Sequence, residues 1–229
     1  MSDNRITDVF FDLDHTLWDF DRNSALAFQR VFQKHKIELE LSVFLKEYEP
    51  INLRYWRKYR EEKVGKLELR RGRLIDAFAE FNMEFPIETI DAMAESYIEE
   101  LPGDNFLFDG AIDILDYLFS KYTLHIITNG FEEVQQLKLQ NSGILKYFMT
   151  VTTSEEVGVK KPNPLVFETA LKKATALPSN STMIGDSLEA DIVGADAVGM
   201  HTLYFNYKRE VVAKDYKSVE KLCEIKNYL

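Results

Sequence analysis

The sequence predicts an α/β protein, a Rossmann-like three-layer core around a parallel sheet with an inserted bundle of helices. Three observations point there. Short apolar runs recur along the chain, and helix-length segments separate the later ones, as in βαβ units. Polar clusters follow these runs, at the strand ends where open α/β sheets bind ligands. The first two runs break the rhythm: more than a hundred residues, most of helical pattern, separate Asp12 from Thr128.

The first strand is Ile6 to Phe11, its apolar run Val9-Phe10-Phe11 leading into Asp12-Leu13-Asp14-His15-Thr16-Leu17. Four stripes at helical spacing follow. Ala25, Phe28, Val31 and Phe32 form the first, and Leu53, Trp56 and Tyr59 the second, after Pro50. Leu67, Leu74, Phe78 and Phe81 form the third. Ile87, Ile90, Met93, Ala94, Tyr97 and Leu101 form the fourth, after Pro86. Four amphipathic helices in sequence make a small bundle, left through a hinge at Leu101-Pro102-Gly103-Asp104. The expected division is a core of residues 1–17 and 104–229 with a helical cap domain of 18–103, a lid over the end of the first strand. Aromatic side chains in the stripes are expected to be packing, and Arg57, Arg70 and Arg73 to be solvated.

The core resumes with a helix from Gly110 to Tyr122, carrying Ile112, Leu115, Leu118 and Phe119 on one face, and a strand from Thr123 to Thr128. A helix after Asn129-Gly130 carries Val134 and Leu137 and stops at Gly143. Phe148 to Thr152 is a strand, and Asn163-Pro164 pairs a capping side chain with proline at a first helical position. The strand Ser181 to Gly185, a helix from Leu188 to Val198 ending at Gly199, and the strand Thr202 to Phe205 complete the core.

The chain of 229 residues carries 28 basic and 38 acidic side chains, a net charge of −10. That balance, with no uninterrupted basic run, argues against a nucleic-acid polymer as partner. A single cysteine, Cys223, excludes an internal disulfide and a multi-cysteine zinc site. No apolar run approaches membrane-spanning length. Met1 to Arg5 carries no apolar leader, so a cytoplasmic protein with no membrane partner is expected.

Chemistry gathers at the strand ends. Asp12 and Asp14 close the first strand, and an ionised carboxylate taken out of water must be paired, metal-bound or neutralised. Thr128-Asn129-Gly130 offers a hydroxyl and the N–H groups of a helix start, which favour a phosphate oxygen. Lys161 stands just before a helix start, and Gly185-Asp186 leads on to Asp191. Two like charges about 4 Å apart repel by roughly 4 kcal/mol at an effective dielectric near 20. A crevice holding Asp12, Asp14, Asp186 and Asp191 therefore needs a cation, and oxygen donors suit Mg²⁺. His15, His35, His125 and His201 show no zinc-ligand spacing.

Asp12-x-Asp14-x-Thr16, Thr128-Asn129-Gly130, Lys161-Pro162 and Gly185-Asp186-x-x-x-x-Asp191 resemble, in order and strand position, the four motifs of the haloacid dehalogenase superfamily. The helical insertion resembles that superfamily's first (C1) cap class. A closer likeness is to the YjjG-type branch of pyrimidine 5′-nucleotidases. It rests on Trp18-Asp19-Phe20-Asp21, Gly65-Lys66-Leu67-Glu68-Leu69-Arg70-Arg71-Gly72-Arg73, Leu101-Pro102-Gly103 and Ser154-Glu155-Glu156-Val157-Gly158-Val159.

The resemblance implies Asp12 as nucleophile, giving an aspartyl-phosphate. Asp14 would be acid to the leaving alcohol and then base to water. Mg²⁺ would sit on the Asp12 carboxylate, the Asp14 backbone carbonyl and the Asp186 carboxylate. Thr128, with the N–H groups of Asn129 and Gly130, would hold phosphoryl oxygens, and Lys161 would balance charge between nucleophile and phosphate. Thr16, counted with the phosphate-binding residues, would orient the first loop, and Asp191 would orient Lys161 or bind metal-bound water. Dehalogenases expel halide without a proton and lack the second aspartate, so Asp14 favours phosphoryl transfer.

The function expected is a Mg²⁺-dependent phosphomonoester hydrolase whose partner is a small phosphorylated metabolite, a nucleoside 5′-monophosphate first. The alternative is a phosphatase or phosphomutase of sugar or other small phosphates. A different class, a binding protein on the same scaffold, is disfavoured by the complete set Asp12, Asp14, Thr128, Lys161 and Asp186.

Overall fold

The computed structural model describes residues 5–211 and 216–229; Met1 to Asn4, the stretch read above for a leader, lies outside them. The chain divides into two compact units, Met1–Phe20 with Asn105–Leu229, and Asp21–Asp104. Among the described residues no helix is long and apolar enough to cross a membrane.

In the first unit the apolar runs form a parallel sheet. β1 (Asp8–Phe11), β2 (Thr123–Thr128), β3 (Phe148–Thr153), β4 (Ser181–Gly185), β5 (His201–Phe205) and β6 (Ser218–Val219) lie in the order β3-β2-β1-β4-β5-β6. β1 is the innermost pairing: Phe10 stands opposite His125 of β2 and Met183 of β4. Val9, Phe10 and Phe11 are all fully buried, as expected of a parallel strand covered on both faces. One face packs Phe10, Ile127 and Met183 against Val166, Phe167, Ala170 and Leu171 of a helix spanning Pro164–Ala174. Elsewhere the Ala111–Phe119 helix packs on β2 and on the carboxyl-terminal turn Leu222–Asn227.

The strands match their expected positions to within one or two residues. β6 escapes the sequence because two residues carry no alternation. The helix expected from Leu188 to Val198 is instead a wide turn over Leu188–Val193 followed by a short helix, Gly194–Ala197. The turn is widened by Ile192 donating to the Ser187 carbonyl five residues back, at 3.3 Å. In the Ala111–Phe119 helix the buried face is Ala111, Ile114, Leu115 and Leu118, while Ile112 and Phe119 are exposed.

The second unit holds α1 (Phe20–His35), α2 (Leu41–Arg60), α3 (Lys66–Ala79) and α4 (Ile87–Glu100). Its core is aromatic: Phe28 lies against Phe44, Tyr48 and Tyr97, and Phe44 against Phe78. α2 continues unbroken past Pro50, and its buried stripe is Phe44, Tyr48, Ile51, Tyr55 and Tyr59, while the expected Leu53 faces out. Arg73, expected to be solvated, is buried. Its guanidinium lies 4.9 Å from the Tyr97 ring centre and donates to Asn52 Oδ1 at 3.0 Å. Paired donors of Arg71 meet both oxygens of Asp91, tying α3 to α4.

His125 sits inside the sheet, stacked on Phe10 at 4.5 Å and hydrogen-bonded to Thr150 and Asp8. Burial lowers its pKa below the ordinary 6.5, with Asp8 opposing. As pH falls the unfolded chain takes up this proton first, so stability is full above 6.5 and is lost on acidification through that range. Thermal unfolding between pH 7.5 and 5.5 should show a drop in Tm that is smaller in His125→Phe. An unchanged pH slope in that variant would remove His125 as its source.

Candidate active site

Chain order reverses between β1 and β4, which lie side by side, and a crevice opens outside the carboxyl ends of such strands. Asp12 follows β1 and Asp186 follows β4. The Asp12 N–H donates to the Ile184 carbonyl at 2.9 Å, so pairing runs one residue past the strand before the chain turns. The turn is tight: the Leu13 carbonyl accepts from the N–H groups of Thr16, Leu17 and Trp18. His15 takes a left-handed φ of 63°, a conformation uncommon outside glycine. The loop thereby sends its two carboxylates to different neighbours.

Asp12 meets Lys161. The ammonium donates to Asp12 Oδ1 at 2.6 Å, Asp191 Oδ1 at 2.6 Å and the Ile127 carbonyl at 2.8 Å. These contacts use all three of its protons, and Lys161 is 1 % exposed. The lysine is held from its backbone as well: Asn129 Oδ1 accepts from the Lys161 N–H at 2.8 Å, and Asn129 Nδ2 donates to its carbonyl at 3.0 Å. Asp191 owes its position to the wide turn. Its second oxygen accepts from the Ser187 N–H at 3.0 Å, and a Cβ on Gly185 would overlap its carboxylate.

Asp14 meets two residues that the sequence reading passed over. Lys138 Nζ donates to Asp14 Oδ1 at 2.6 Å, and Gln135 Nε2 donates to Asp14 Oδ2 at 3.0 Å. Both come from the Glu132–Asn141 helix, whose second buried hydrophobe is Leu139 and where spacing of three puts them on one face. Val134 and Leu137 were the expected buried stripe, but Leu137 is exposed while Gln135 and Lys138 are buried. A glutamine and a lysine three apart, directly after a Thr-Asn-Gly strand end, were the available signal. Composition masks it, because such residues usually form a solvated face.

Gln135 also donates to Thr128 Oγ1 at 2.7 Å, which further accepts from the Gly130 N–H at 3.1 Å. With both lone pairs engaged, the Thr128 hydroxyl is left as a donor, the polarity a phosphoryl oxygen requires. Gly130 is needed at this point because a Cβ there would overlap Gln135. The Gly130 N–H, one of the expected phosphate donors, is thus turned to Thr128, while the Asn129 side chain is held on the Lys161 backbone and Thr16 Oγ1 donates to Asp186 Oδ1 at 3.4 Å.

Among the described residues, Asp12, Asp186 and Asp191 form an acidic group whose ligand oxygens lie within 4.8 Å of one another. Burial pushes the Asp12 carboxyl up to about 7 even against Lys161. Burial first, then the charges of Asp12 and Asp191, push Asp186 well above the usual range. Burial alone would lower the Lys161 pKa, but Asp12 and Asp191 outweigh it and raise it. Three carboxylates face one ammonium, an excess that one divalent cation would neutralise. Both Asp191 oxygens are already bonded, so the remaining Asp12 oxygen and Asp186 are the side-chain donors that fit such an ion. The Asp14 side chain stands outside the group.

Residues 9–205 match the haloacid dehalogenase-like hydrolases, and the chain belongs to that family of enzymes. It is 34 % identical over 203 residues to the pyrimidine 5′-nucleotidase YjjG of Escherichia coli, covering 86 % of this chain and 85 % of the relative. It is 32 % identical over 200 residues to the pyrimidine 5′-nucleotidase PynA of Streptococcus pneumoniae, covering 86 % and 83 %. The crystal structure of the HAD-hydrolase YfnB of Bacillus subtilis, solved with magnesium bound, superposes with a TM-score of 0.90 at 29 % identity, covering 98 % of this chain and 99 % of that one.

Removing Lys161 strips two buried carboxylates of their cation. Lys161→Met should destabilise the metal-free fold by about 3–5 kcal/mol, the cost of breaking a buried pair from one side. Urea unfolding measures it, and a loss below ~1 kcal/mol would mean that the carboxylates are satisfied without the lysine.

Proposed function

We propose that the chain is a Mg²⁺-dependent phosphomonoester hydrolase working through an aspartyl-phosphate, with nucleoside 5′-monophosphates, pyrimidine ones first, as substrates. The observation that carries this reading is the unlike treatment of two carboxylates in one loop. Asp12 is buried against Lys161, and Asp14 is held apart by Lys138 and Gln135 with its side chain 21 % exposed. One suits a nucleophile and the other a proton carrier, as when one site divides its carboxyl groups between two roles. Sequence similarity to two pyrimidine 5′-nucleotidases supports the substrate class.

In this reading an Asp12 oxygen attacks phosphorus and the bond from phosphorus to the leaving oxygen breaks. Asp14 gives its proton to that oxygen, releasing the alcohol. Water then attacks phosphorus of the aspartyl-phosphate, Asp14 takes the water's proton, and Asp12 leaves with its electron pair as a carboxylate. Lys161 offsets the charge that the phosphoryl group brings to Asp12, and the Thr128 hydroxyl donates to a phosphoryl oxygen. Asp12 and Asp186, with the Asp14 carbonyl, would hold Mg²⁺, which supplies charge neutralisation between the anionic nucleophile and the phosphoryl group. Halide release needs no proton carrier and would leave the holding of Asp14 without purpose. Residues 18–103, as the inserted cap domain, are assigned the choice of substrate on the family resemblance.

Phosphate release should be highest with pyrimidine monophosphates in a panel that includes purine monophosphates, phosphoglycolate and hexose phosphates. Asp12→Asn should reduce it to background, and Asp14→Asn by about 10²–10⁴-fold. Chelation should abolish turnover and added Mg²⁺ restore it. Preference for hexose phosphates would keep the mechanism and reject the nucleotide; release of halide from a 2-halo acid would reject both.

A further inference from the structure

Lys138 is the buried cation that the mechanism above leaves without a task. Its residue exposure is 1 %, and among the described residues its carboxylate partner is Asp14. Burial lowers its pKa, with Asp14 and Asp12 pulling the other way. The rest of the ammonium is walled by aromatic faces: the Trp18 ring centre lies 4.1 Å away and that of Phe20 5.2 Å. Trp18 is itself fully buried, and its indole N–H donates to Asn105 Oδ1 at 3.3 Å. The lysine therefore has no solvent to turn toward.

Replacing a buried ion pair as a whole by apolar side chains of similar volume is often neutral or stabilising, so such a pair is weak evidence for a role in stability alone. The structure instead shows a two-point hold. Lys138 takes one oxygen of Asp14 and Gln135 the other, and Gln135 also holds the Thr128 hydroxyl. The carboxylate cannot rotate without breaking both contacts, and its remaining lone pairs stay open on the side where it is partly exposed.

We infer that Lys138 is a positioning residue which, with Gln135 and backed by Trp18 and Phe20, fixes the Asp14 carboxyl for proton delivery to the leaving oxygen. The inference rests on the phosphomonoesterase reading above. In the transfer step the bond from phosphorus to the leaving oxygen breaks, the Asp14 proton moves to that oxygen, and Asp14 remains as a carboxylate on Lys138. Lys138 gives up no proton and touches no substrate atom.

Leaving-group dependence separates this role from simple packing. p-Nitrophenolate departs without a proton, whereas a nucleoside 5′-oxygen needs one. The test is rapid-quench first-turnover kinetics with Mg²⁺ on both esters, for wild type, Lys138→Met and Lys138→Gln, with folding checked by thermal unfolding. Either folded variant serves. The expected result is release of nucleoside slowed by about 10²-fold, the scale of a mispositioned general acid. The nitrophenolate burst should stay within about threefold of wild type, while Tm should fall in Lys138→Met, which leaves Asp14 without its cation. Equal slowing of both esters, or slowing of neither, overturns the inference while leaving the phosphatase reading intact. Failure of both variants to fold also overturns it, since Lys138 would then be needed for the fold itself. A wild-type enzyme silent on both esters overturns the phosphatase reading and this inference with it.

Discussion

The contact on which the rest of the site depends is the Lys161 ammonium shared by Asp12, Asp191 and the Ile127 carbonyl. It draws together the ends of β1 and β2 and the turn after β4, three points far apart in the chain. A charge this deeply buried is tolerable only when paired and fully hydrogen-bonded. Each partner is itself held: Asp191 by the Ser187 N–H, the lysine backbone by Asn129, and Asp12 by strand pairing to Ile184. The wide turn of Leu188–Val193 and the bare α-carbon of Gly185 are local departures that let Asp191 reach its place.

A second charge centre lies on the other side of the same loop. Asp14 is neutralised by Lys138 rather than by Lys161, so two carboxylates two residues apart meet different fields. The left-handed residue at His15 makes that divergence possible by closing the loop within a few residues. Gln135 ties the Thr128 hydroxyl to the Asp14 centre, and the preceding residue, Ile127, gives its carbonyl to the Lys161 centre. A site built this way has little freedom to rearrange. Its acidic excess is concentrated on Asp12, Asp186 and Asp191, whose ligand oxygens lie within 4.8 Å of one another.

The helical unit is organised by different physics. Its interior is a cluster of aromatic rings from four helices, with Arg73 buried over Tyr97 and Tyr48. Planar guanidinium on aromatic faces recovers part of the cost of leaving water. This arrangement explains why a residue that reads as solvated by charge lies inside. α2 likewise continues past Pro50 with Tyr48, Ile51 and Tyr55 buried on either side of it, although proline removes a backbone hydrogen bond.

Much was legible in the chain before folding. Apolar runs mark the strands because both faces of a parallel sheet are buried, and Asn163-Pro164 and Gly143 mark helix ends through local backbone chemistry alone. Asp12, Asp14, Thr128, Lys161, Asp186 and Asp191 stood out because such groups cluster at strand ends only at some cost. What the sequence could not supply was rotation and pairing. Whether Leu137 or Lys138 faces inward depends on one residue of helical phase, and that is decided by the carboxylate waiting at Asp14. Whether Lys161 is a surface lysine or the centre of the site depends on two aspartates, 149 and 30 residues away along the chain. Local spacing by itself determined most of the elements and the residue types gathered at the strand ends. Only the tertiary structure decided which charge answers which, because electrostatic partners are chosen by distance in space.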